Sequence, residues 1–424
     1  MRHILPTIAA LLLSVAVLML ANGLLGIFLA VRMTLEAFPV QITGTAMSAY
    51  FLGLVVGTQV TGIIIRRVGH IRAFAAFAAL TNAAVVCHGL WISAPVWIVL
   101  RMLTGLSVSG LYMVIESWLN DRATSATRGR VFSLYMITSF LGLGVGQFLL
   151  NLRDPKGLDL FLVAAALFAL AVVPMALTRA IHPQPIEHEP FGLRGLLRRS
   201  PLGIIGSFGA GLVNGAFYAL GPVYALDVGL GTAGASGFMS LTILGGLLLQ
   251  WPVGHLSDRL DRRRMFQALT LALLVATLAI LGLRGRSLPL LLVLAAVYGG
   301  LSYTLYPIAV AHANDLLDPP QFVPAAATLL FTWGIGAALG PIGAGALMAR
   351  VGPAGLFVFV ALACIALAIV TQARRRETVP TEEQTPFVAM ARTTPVITEL
   401  DPRALEEEGT PSEPEAATTA EVKP

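Results

Sequence analysis

The stretch Gly254-His255-Leu256-Ser257-Asp258-Arg259-Leu260-Asp261-Arg262-Arg263 is a short, highly charged segment between two long apolar runs. A weaker copy occurs earlier, at Gly62-Ile63-Ile64-Ile65-Arg66-Arg67-Val68-Gly69-His70-Ile71-Arg72. The first glycines of the two stretches, Gly62 and Gly254, are 192 positions apart. The apolar runs on either side of these segments predict the class of fold.

Hydrophobic residues make up 56% and charged residues 12% of the 424 positions, whereas soluble domains carry about 25% charged residues. Too little polar surface is left to cover a water-soluble core. The charges are concentrated between stretches close to the ~20 apolar residues that cross a bilayer as a helix. No segment alternates in polarity as the strands of a membrane barrel do. The composition therefore predicts an all-α membrane protein.

Twelve apolar runs are long enough to cross the membrane, and the first, which continues to about Ala30, is longer than the core of a signal peptide. We predict spans near residues 7–30, 43–65, 73–92, 96–118, 131–151, 158–178, 201–225, 235–253, 266–284, 289–311, 323–348 and 354–373. These spans define an N-terminal six-helix bundle, a central loop, a C-terminal six-helix bundle and a tail, at residues 1–178, 179–200, 201–373 and 374–424.

Arginine and lysine are unequally distributed between the two sides of the predicted bundle. With the N-terminus inside, the inner segments up to Arg376 carry eighteen of these residues, and the outer segments carry six. By the positive-inside rule, both termini and the central loop are expected in the cytoplasm, and the protein in the inner membrane of a bacterium. The tail holds 11 of the 23 acidic residues and is rich in proline and threonine, so we expect it to be disordered.

The two halves of the chain repeat each other. At the offset of 192, Asn22-Gly23 corresponds to Asn214-Gly215, and Gly53 corresponds to Gly245. Later the offset becomes 194, and the matched pairs are Leu111-Tyr112 with Leu305-Tyr306, Asn120-Asp121 with Asn314-Asp315, and Gly142 with Gly336. Two six-span halves in parallel register predict a transporter built from two pseudo-symmetric bundles.

Three motifs resemble those of the major facilitator superfamily, and the likeness covers about residues 5–373. The charged segment after the second span of each half resembles the family's Gly-x-x-x-Asp-Arg-x-Gly-Arg-Arg motif. Arg101-Met-Leu-Thr-Gly105 resembles its Arg-x-x-x-Gly signature in the fourth span. The glycine-rich stretch Gly142-Leu-Gly144-Val-Gly146 and its partner Gly336-Ala-Ala-Leu-Gly340 resemble its fifth and eleventh spans. The resemblance implies a secondary transporter that works by alternating access.

The sequence also departs from the family pattern. Arg66 stands at the acidic position of the first motif, and Asp261 replaces the later glycine of the second. The Gly-Pro pair of many family antiporters is absent from the fifth span, where Gln147 stands, so antiport is not established. The segment Glu116-Ser-Trp-Leu-Asn-Asp is similar to a bacterial branch of the family whose substrates are largely unassigned.

The motif segments supply the candidate gating residues. We expect small residues to allow close helix packing there, and we expect Asp258 to pair with arginines or face a helix N-terminus. The resemblance implies that such contacts latch the two halves, although the charges also serve as a topology signal. Glu116 is interpreted either as a proton carrier or as a salt-bridge partner of cytoplasmic arginines. The candidate gating residues are Gly62, Arg67, Glu116, Gly254, Asp258 and Arg259.

Arg101 lies several residues inside the fourth span, where a charge is costly. It shares one helical arc with Gly105, Ser109, Tyr112 and Glu116. It is interpreted either as a cavity-lining residue for an anionic group or proton coupling, or as a structural arginine satisfied by neighbouring polar groups. Family architecture implies a cavity lined by spans one, four, seven and ten, where aromatic hydroxyls suit a mixed apolar and polar ligand. With Arg101, the candidate substrate-binding residues are Asn22, Tyr112, Asn214, Tyr218, Tyr303 and Tyr306.

The sequence contains no convincing nucleotide-binding loop, metal-ligand cluster or nucleophile constellation, so we expect no cofactor, no metal site and no enzymatic activity. The net charge of +5 reflects membrane orientation rather than nucleic-acid binding. The expected partners are a small-molecule substrate and the lipid bilayer, with proton coupling left open, and the chain is expected to be a monomer. Efflux of amphipathic compounds and movement of a small organic anion are both compatible with the sequence. The alternative is a receptor or scaffold that keeps the fold without transport.

Overall fold

The computed structural model describes residues 4–124, 127–177, 191–283, 286–374, 384, 386–388, 390 and 392–400. Its helices are α1 (Ile4–Leu35), α2 (Val40–Val68), α3 (His70–Leu90), α4 (Ala94–Arg122), α5 (Arg128–Phe148), α6 (Asp159–Leu170), α7 (Val172–Ala176), α8 (Leu193–Arg199), α9 (Pro201–Asp227), α10 (Gly231–Ser257), α11 (Arg262–Leu283), α12 (Leu288–Asn314), α13 (Phe322–Val351) and α14 (Gly355–Ala373). Short 3-10 helices lie at Leu149–Leu152, Pro319–Gln321 and Pro395–Leu400.

The predicted twelve spans are confirmed among the described residues. In the sixth span, α6 and α7 are separated by one residue, Ala171. Pro174 lies just beyond this break, and a proline disrupts the preceding helical turn because it lacks an N–H and clashes with the carbonyl four residues earlier. The short helix α8 lies in the central loop, so the second half of the molecule runs from α9 to α14.

The two charged segments that connect spans are largely helical. Gly254–Ser257 are the last residues of α10, Arg262 is the first residue of α11, and only four residues lie between the two helices. In the first half, a single residue, Gly69, separates α2 from α3. Its φ of 83° lies in the region that favours glycine, which allows the chain to reverse abruptly. The face that carries these turns and the start of α1 is called the arginine-rich face below.

The sequence repeat appears as equivalent close contacts in the two halves. A Cβ atom on Gly53 would overlap the carbonyl oxygen of Met102, and one on Gly105 would overlap that of Tyr50, so α2 and α4 pack backbone to backbone. In the second half, Gly245 faces the carbonyl of Ala296 in the same way, which brings α10 against α12. Small residues at such positions are what permit close helix packing in lipid, where van der Waals contact replaces the hydrophobic effect.

Gly299 tests the importance of this packing, because its own Cβ would overlap the backbone carbonyl of Thr242. We expect Gly299→Ala to lower the thermal unfolding midpoint of the detergent-purified protein, since a backbone atom cannot move aside as a flexible side chain can. The matched control is Gly282→Ala, because a Cβ at this helical glycine would meet no atom within 4 Å. Equal midpoints for the two variants would contradict the proposed packing role.

The two halves touch toward the face opposite the arginine-rich face. The hydroxyl of Ser48 on α2 donates to the carbonyl of Ala338 on α13. Asn151 Nδ2 donates to Ser236 Oγ on α10 at 3.1 Å. Toward the arginine-rich face, residues from the tail lie between the halves and contact α4, α5 and α13. The cavity between the halves is therefore bounded by helix contacts on one side and by the tail on the other.

Candidate functional site

A cavity of about 140 Å³ lies between the two halves. Its wall combines aromatic and apolar side chains with amides and hydroxyls, and both halves and the tail contribute to it. The wall residues are Met19, Asn22, Tyr50, Phe51, Leu54, Tyr112, Tyr135, Met136, Ser139, Phe140, Leu143, Asn214, Tyr218, Tyr303, Trp333, Met390, Arg392 and Thr393. Five of the seven predicted substrate-binding residues lie in this wall, namely Asn22, Tyr112, Asn214, Tyr218 and Tyr303.

Asn22 is the centre of a hydrogen-bond network. Its Nδ2 donates to Tyr112 Oη at 3.0 Å, and the hydroxyl of Tyr50 donates to its Oδ1 at 3.2 Å. The hydroxyl of Tyr218, on α9 of the other half, donates to the backbone carbonyl of Asn22 at 3.3 Å. A Cβ on Gly26 would overlap the Tyr218 hydroxyl, so the glycine leaves room for this bond. The network thus joins the two halves at the cavity wall.

The equivalent residue in the second half, Asn214, is bonded differently. Its Nδ2 donates to the backbone carbonyl of Ser302 on α12 at 3.3 Å, which is a bond between two helices of the same half. Its Oδ1 is buried and has no hydrogen-bond partner in the described part of the chain. Asn214 therefore holds α9 against α12 and keeps one acceptor available at the wall.

Arg101 lies outside the wall, behind Tyr50. Its side chain is buried, with 1% of the residue exposed, and its guanidinium carbon lies 4.3 Å from the centroid of the Tyr50 ring. Its Nε atom has no hydrogen-bond partner among the described residues. The predicted polar stripe of α4 does face away from lipid, because all five of its members are buried. The contact of Arg101 is thus a cation–π contact with an aromatic ring that itself faces the cavity.

Tyr303 and Tyr306, three residues apart on α12, occupy different places. Tyr303 lies in the wall and packs on Phe140 of the first half, with ring centroids 5.7 Å apart. Tyr306 does not line the cavity and packs on Trp333 of α13 at 6.2 Å. Tyr306 therefore supports an aromatic wall residue.

Glu116 is fully buried on α4, and its carboxylate accepts hydrogen bonds from hydroxyl groups. Tyr135 Oη donates to it at 2.5 Å, and the hydroxyls of Thr393 and Thr394 also donate to it. The backbone N–H of Ile397 adds a further bond. Among the described residues, hydroxyl groups of Tyr135 and the tail occupy the place beside the Glu116 carboxylate where an arginine was expected.

The tail segment, defined here as residues 386–388, 390 and 392–400, is packed against the bundle. Met390 is 3% exposed and Ile397 is fully buried. Arg392 lies over the ring of Tyr303, and burial lowers the pKa of its guanidinium from the ordinary value. An arginine nevertheless stays charged in proteins. The expectation of a solvated, disordered tail is thus not met for this segment, while residues 401–424 lie outside the described residues.

Most of the predicted gating residues do not form a latch between the halves in this structure. A Cβ on Gly62 would meet its nearest atom, Arg66 Nη1, at an ordinary 3.8 Å, so the expected close helix approach at Gly62 is wrong here. Arg67 and Arg259 are exposed. At Gly254 the close neighbour is the ring of Phe387, a tail residue, instead of another helix. On this face the two halves are apart, and tail residues lie between them.

Asp258 keeps part of its expected role. Its Oδ1 lies 3.3 Å from Arg262 Nη2 and accepts the backbone N–H of Phe387 at 2.7 Å. Arg262 Nε also lies 3.2 Å from Asp315 Oδ2, and the side chains of this second pair are each only 1% exposed. The sequence analysis did not single out Arg262 or Asp315 as site residues, although the match of Asn120-Asp121 with Asn314-Asp315 drew attention to the position.

Thirteen of the eighteen wall residues were not predicted, among them Tyr50, Tyr135, Trp333 and Arg392. The first three lie on α2, α5 and α13, outside the four spans that the family resemblance identifies as lining the cavity. A tyrosine or tryptophan in an apolar run is the available signal, but it does not separate wall residues from core residues. Arg392 carries no such signal, because its segment has the composition of a disordered tail.

In the described residues, twelve helices long and apolar enough to cross a membrane form two halves around a shared cavity, which is the architecture of a transmembrane transporter. The family model described as the Major Facilitator Superfamily matches residues 11–284 and 238–407, and the chain belongs to this family. It is 28% identical over 356 residues to YcaD, an uncharacterized MFS-type transporter, from Shigella flexneri and Escherichia coli strains. That match covers 81% of this chain and 92% of YcaD.

Solved structures share the fold. The nucleoside transporter NupG aligns with a TM-score of 0.69 and 15% identity, covering 88% of this chain and 99% of NupG. A bacterial homolog of the human lysosomal transporter Spinster, in an inward-facing and unoccupied conformation, aligns with a TM-score of 0.66 and 12% identity, covering 93% of this chain and 96% of the homolog. At these identities the likeness concerns the fold alone.

Proposed function

We propose that the chain is a secondary active transporter that moves a small amphipathic organic molecule by alternating access. The observation that carries this proposal is the Asn22 network, in which one half supplies Asn22, Tyr50 and Tyr112 and the other supplies Tyr218. A rotation of one half against the other would break the Tyr218 bond and rearrange the wall. Substrate binding and conformational change therefore involve the same side chains.

The orientation follows from the charge asymmetry. The arginine-rich face is proposed to be cytoplasmic, since the positive-inside rule places excess arginine there. The helix contacts between the halves then lie toward the outer face, and the tail lies in the cytoplasmic mouth of the cavity. The membrane is proposed to be a bacterial inner membrane, and a rearrangement to an outward-open state would complete the cycle.

The position of Arg101 favours an amphipathic substrate over a small organic anion. The ring of Tyr50, rather than the guanidinium of Arg101, lines the cavity. Aromatic rings with hydroxyl and amide groups among them suit ligands with an apolar body and a few hydrogen-bonding atoms. Glu116, held by Tyr135 of the wall, is the carboxylate we propose for proton coupling.

The test begins with a thermal-shift screen of amphipathic compounds on the purified protein, followed by flux of the best stabiliser in proteoliposomes. We expect flux, and we expect a pH-sensitive dye in the lumen to report proton movement with it. A folded, ligand-stabilised protein that moves no ligand would contradict the proposal and favour a non-transporting receptor. A flat dye signal during flux would contradict proton coupling alone.

Asn22→Leu is expected to reduce this flux at least tenfold, because it removes both side-chain bonds of the network and leaves the Tyr50 and Tyr112 hydroxyls without their partner. The measurement is initial flux at equal amounts of reconstituted protein. The matched control is Asn82→Leu on α3, since Asn82 Nδ2 donates to the carbonyl of Ala78 within its own helix and Asn82 lies outside the wall. Equal flux from both variants would remove Asn22 from the site.

A further inference from the structure

The tail places a guanidinium against two aromatic rings of the cavity wall. The guanidinium carbon of Arg392 lies 4.2 Å from the ring centroid of Tyr303 and 5.5 Å from that of Trp333. Both distances fall within the ~6 Å over which a cation is attracted by the face of an aromatic ring. Tyr303 and Trp333 are called the aromatic cage below. The cage therefore holds an organic cation in this structure.

The cage is positioned by the helices and does not depend on the tail. Trp333 packs against Phe51 of the first half and against Tyr306, with ring centroids 6.2 Å apart in each case. Tyr303 packs against Phe140, also of the first half. Because these neighbours lie on membrane-spanning helices of both halves, the rings would keep their places if Arg392 withdrew. A preformed site costs a ligand little ordering entropy.

The tail residue leaves one of its hydrogen-bond donors unpaired in the described part of the chain. The Nη1 atom of Arg392 is buried and has no hydrogen-bond partner among the residues that the structure describes. A buried donor without a partner costs free energy, about 1–3 kcal/mol as a general figure and more for charged groups. A free ligand that can orient its own donors would avoid this cost, so the tail can be displaced.

The tail also contacts a buried carboxylate of the bundle, Glu116. The residues directly after Arg392 are Thr393 and Thr394, and their hydroxyls donate to Glu116. When the tail leaves, Glu116 keeps its bond from Tyr135 and loses these two donors. The carboxyl oxygens released by the tail can then accept hydrogen bonds from the donors of a ligand in the cavity. The other charged group near the wall, Arg101, is covered on the cavity side by the ring of Tyr50.

We propose that Tyr303 and Trp333 form a cation subsite of the transport cavity, which takes amphipathic organic cations of the guanidinium type, and that Arg392 competes for it as a tethered occupant. The inference rests on the proposed transport function for its biological meaning, because it names the substrate class of the same cavity. Binding itself can be measured without transport.

The first test compares the full-length protein with its Arg392→Ala variant in detergent, using phenylguanidinium as the probe and isothermal titration calorimetry as the measurement. Phenylurea is the neutral probe of nearly the same shape. We expect Arg392→Ala to bind phenylguanidinium at least tenfold more tightly than the wild type, because the cage is vacated. Affinity for phenylurea should change less than twofold. Arg350→Ala, at an exposed arginine of α13, is the matched control.

The remaining tail contacts could still block the entrance, so a second variant releases the segment. Arg392→Ala/Ile397→Asp places a carboxylate at a fully buried position, which expels the segment because an unpaired charge is costly to bury. We expect its affinity for phenylguanidinium to rise as much as in Arg392→Ala, or more. The proposal would be overturned if neither variant bound phenylguanidinium more tightly than the wild type, or if the affinity for phenylurea rose equally.

The cage residues are then changed in the Arg392→Ala background. Trp333→Leu should abolish the gain for phenylguanidinium, whereas Tyr303→Phe should preserve it, because phenylalanine keeps the ring face. Tight cation binding without flux would contradict the transport function and leave the subsite intact. Flux of a screened ligand without any preference for phenylguanidinium over phenylurea would contradict the subsite and leave the transport function intact.

Discussion

Arg262→Met is expected to lower the free energy of unfolding by about 3–5 kcal/mol, the typical cost of breaking a buried ion pair by removing one partner. Arg262 Nε lies 3.2 Å from Asp315 Oδ2, and both side chains are 1% exposed. The variant removes the arginine and leaves the carboxylate buried between α11 and α12. Methionine keeps much of the side-chain volume, so the loss reports the charge rather than a cavity. The measurement is equilibrium unfolding of the detergent-solubilised protein.

Arg264→Met is the control for this experiment, because Arg264 lies two residues further along α11 and is exposed. We expect it to change stability by less than about 0.5 kcal/mol, as is usual for surface substitutions. The double variant Arg262→Met/Asp315→Leu should recover most of the loss, since it removes both charges together. If Arg262→Met behaved like Arg264→Met, the pair would have no stabilising role.

Arg101→Met is expected to reduce flux at least tenfold. Unlike Arg262→Met, it is expected to cause no loss of thermal stability. Arg101 is as deeply buried as Arg262, but its guanidinium packs on the ring of Tyr50 and its Nε has no hydrogen-bond partner among the described residues. A charge inside a span costs about 2.5–3.5 kcal/mol by insertion scales, and the variant removes that cost. A group retained against such a cost is expected to serve function.

The physical route from Arg101 to the cavity runs through Tyr50. The guanidinium holds the Tyr50 ring, and the Tyr50 hydroxyl donates to Asn22. Arg101 is therefore a positioning residue in this structure. Arg101→Lys keeps the charge and should retain part of the flux, because ammonium groups also make cation–π contacts. Full flux in Arg101→Met would remove Arg101 from the site, and a stability loss as large as that of Arg262→Met would show a structural role instead.

The two arginines illustrate where sequence reasoning ends. In the sequence, Arg262 is one member of a charged segment, and Arg101 is an isolated charge in an apolar span. Their burial is the same, but their neighbours differ: a carboxylate just after the end of α12 in one case and an aromatic ring of α2 in the other. Such neighbours come from other helices, and their side-chain directions depend on how the helices pack.

The twelve spans and the twofold repeat could be predicted from the sequence alone. Apolar length decides whether a helix crosses the membrane, and small residues in repeated positions decide where backbones can touch, as at Gly53 and Gly245. Both are local properties of the chain. The family resemblance also pointed to Asn22 and Tyr218 as candidate cavity residues, and both lie in the wall.

The occupant of the cavity mouth, in contrast, could be identified only from the packed helices. The tail has the composition of a disordered segment, and its apolar residues are too few to form a core alone. Met390 and Ile397 become buried only because the two halves separate on the arginine-rich face and expose aromatic rings and a carboxylate to them. The position of Arg392 in the aromatic cage is thus a property of the assembled bundle, since both rings of the cage lie far from it in sequence.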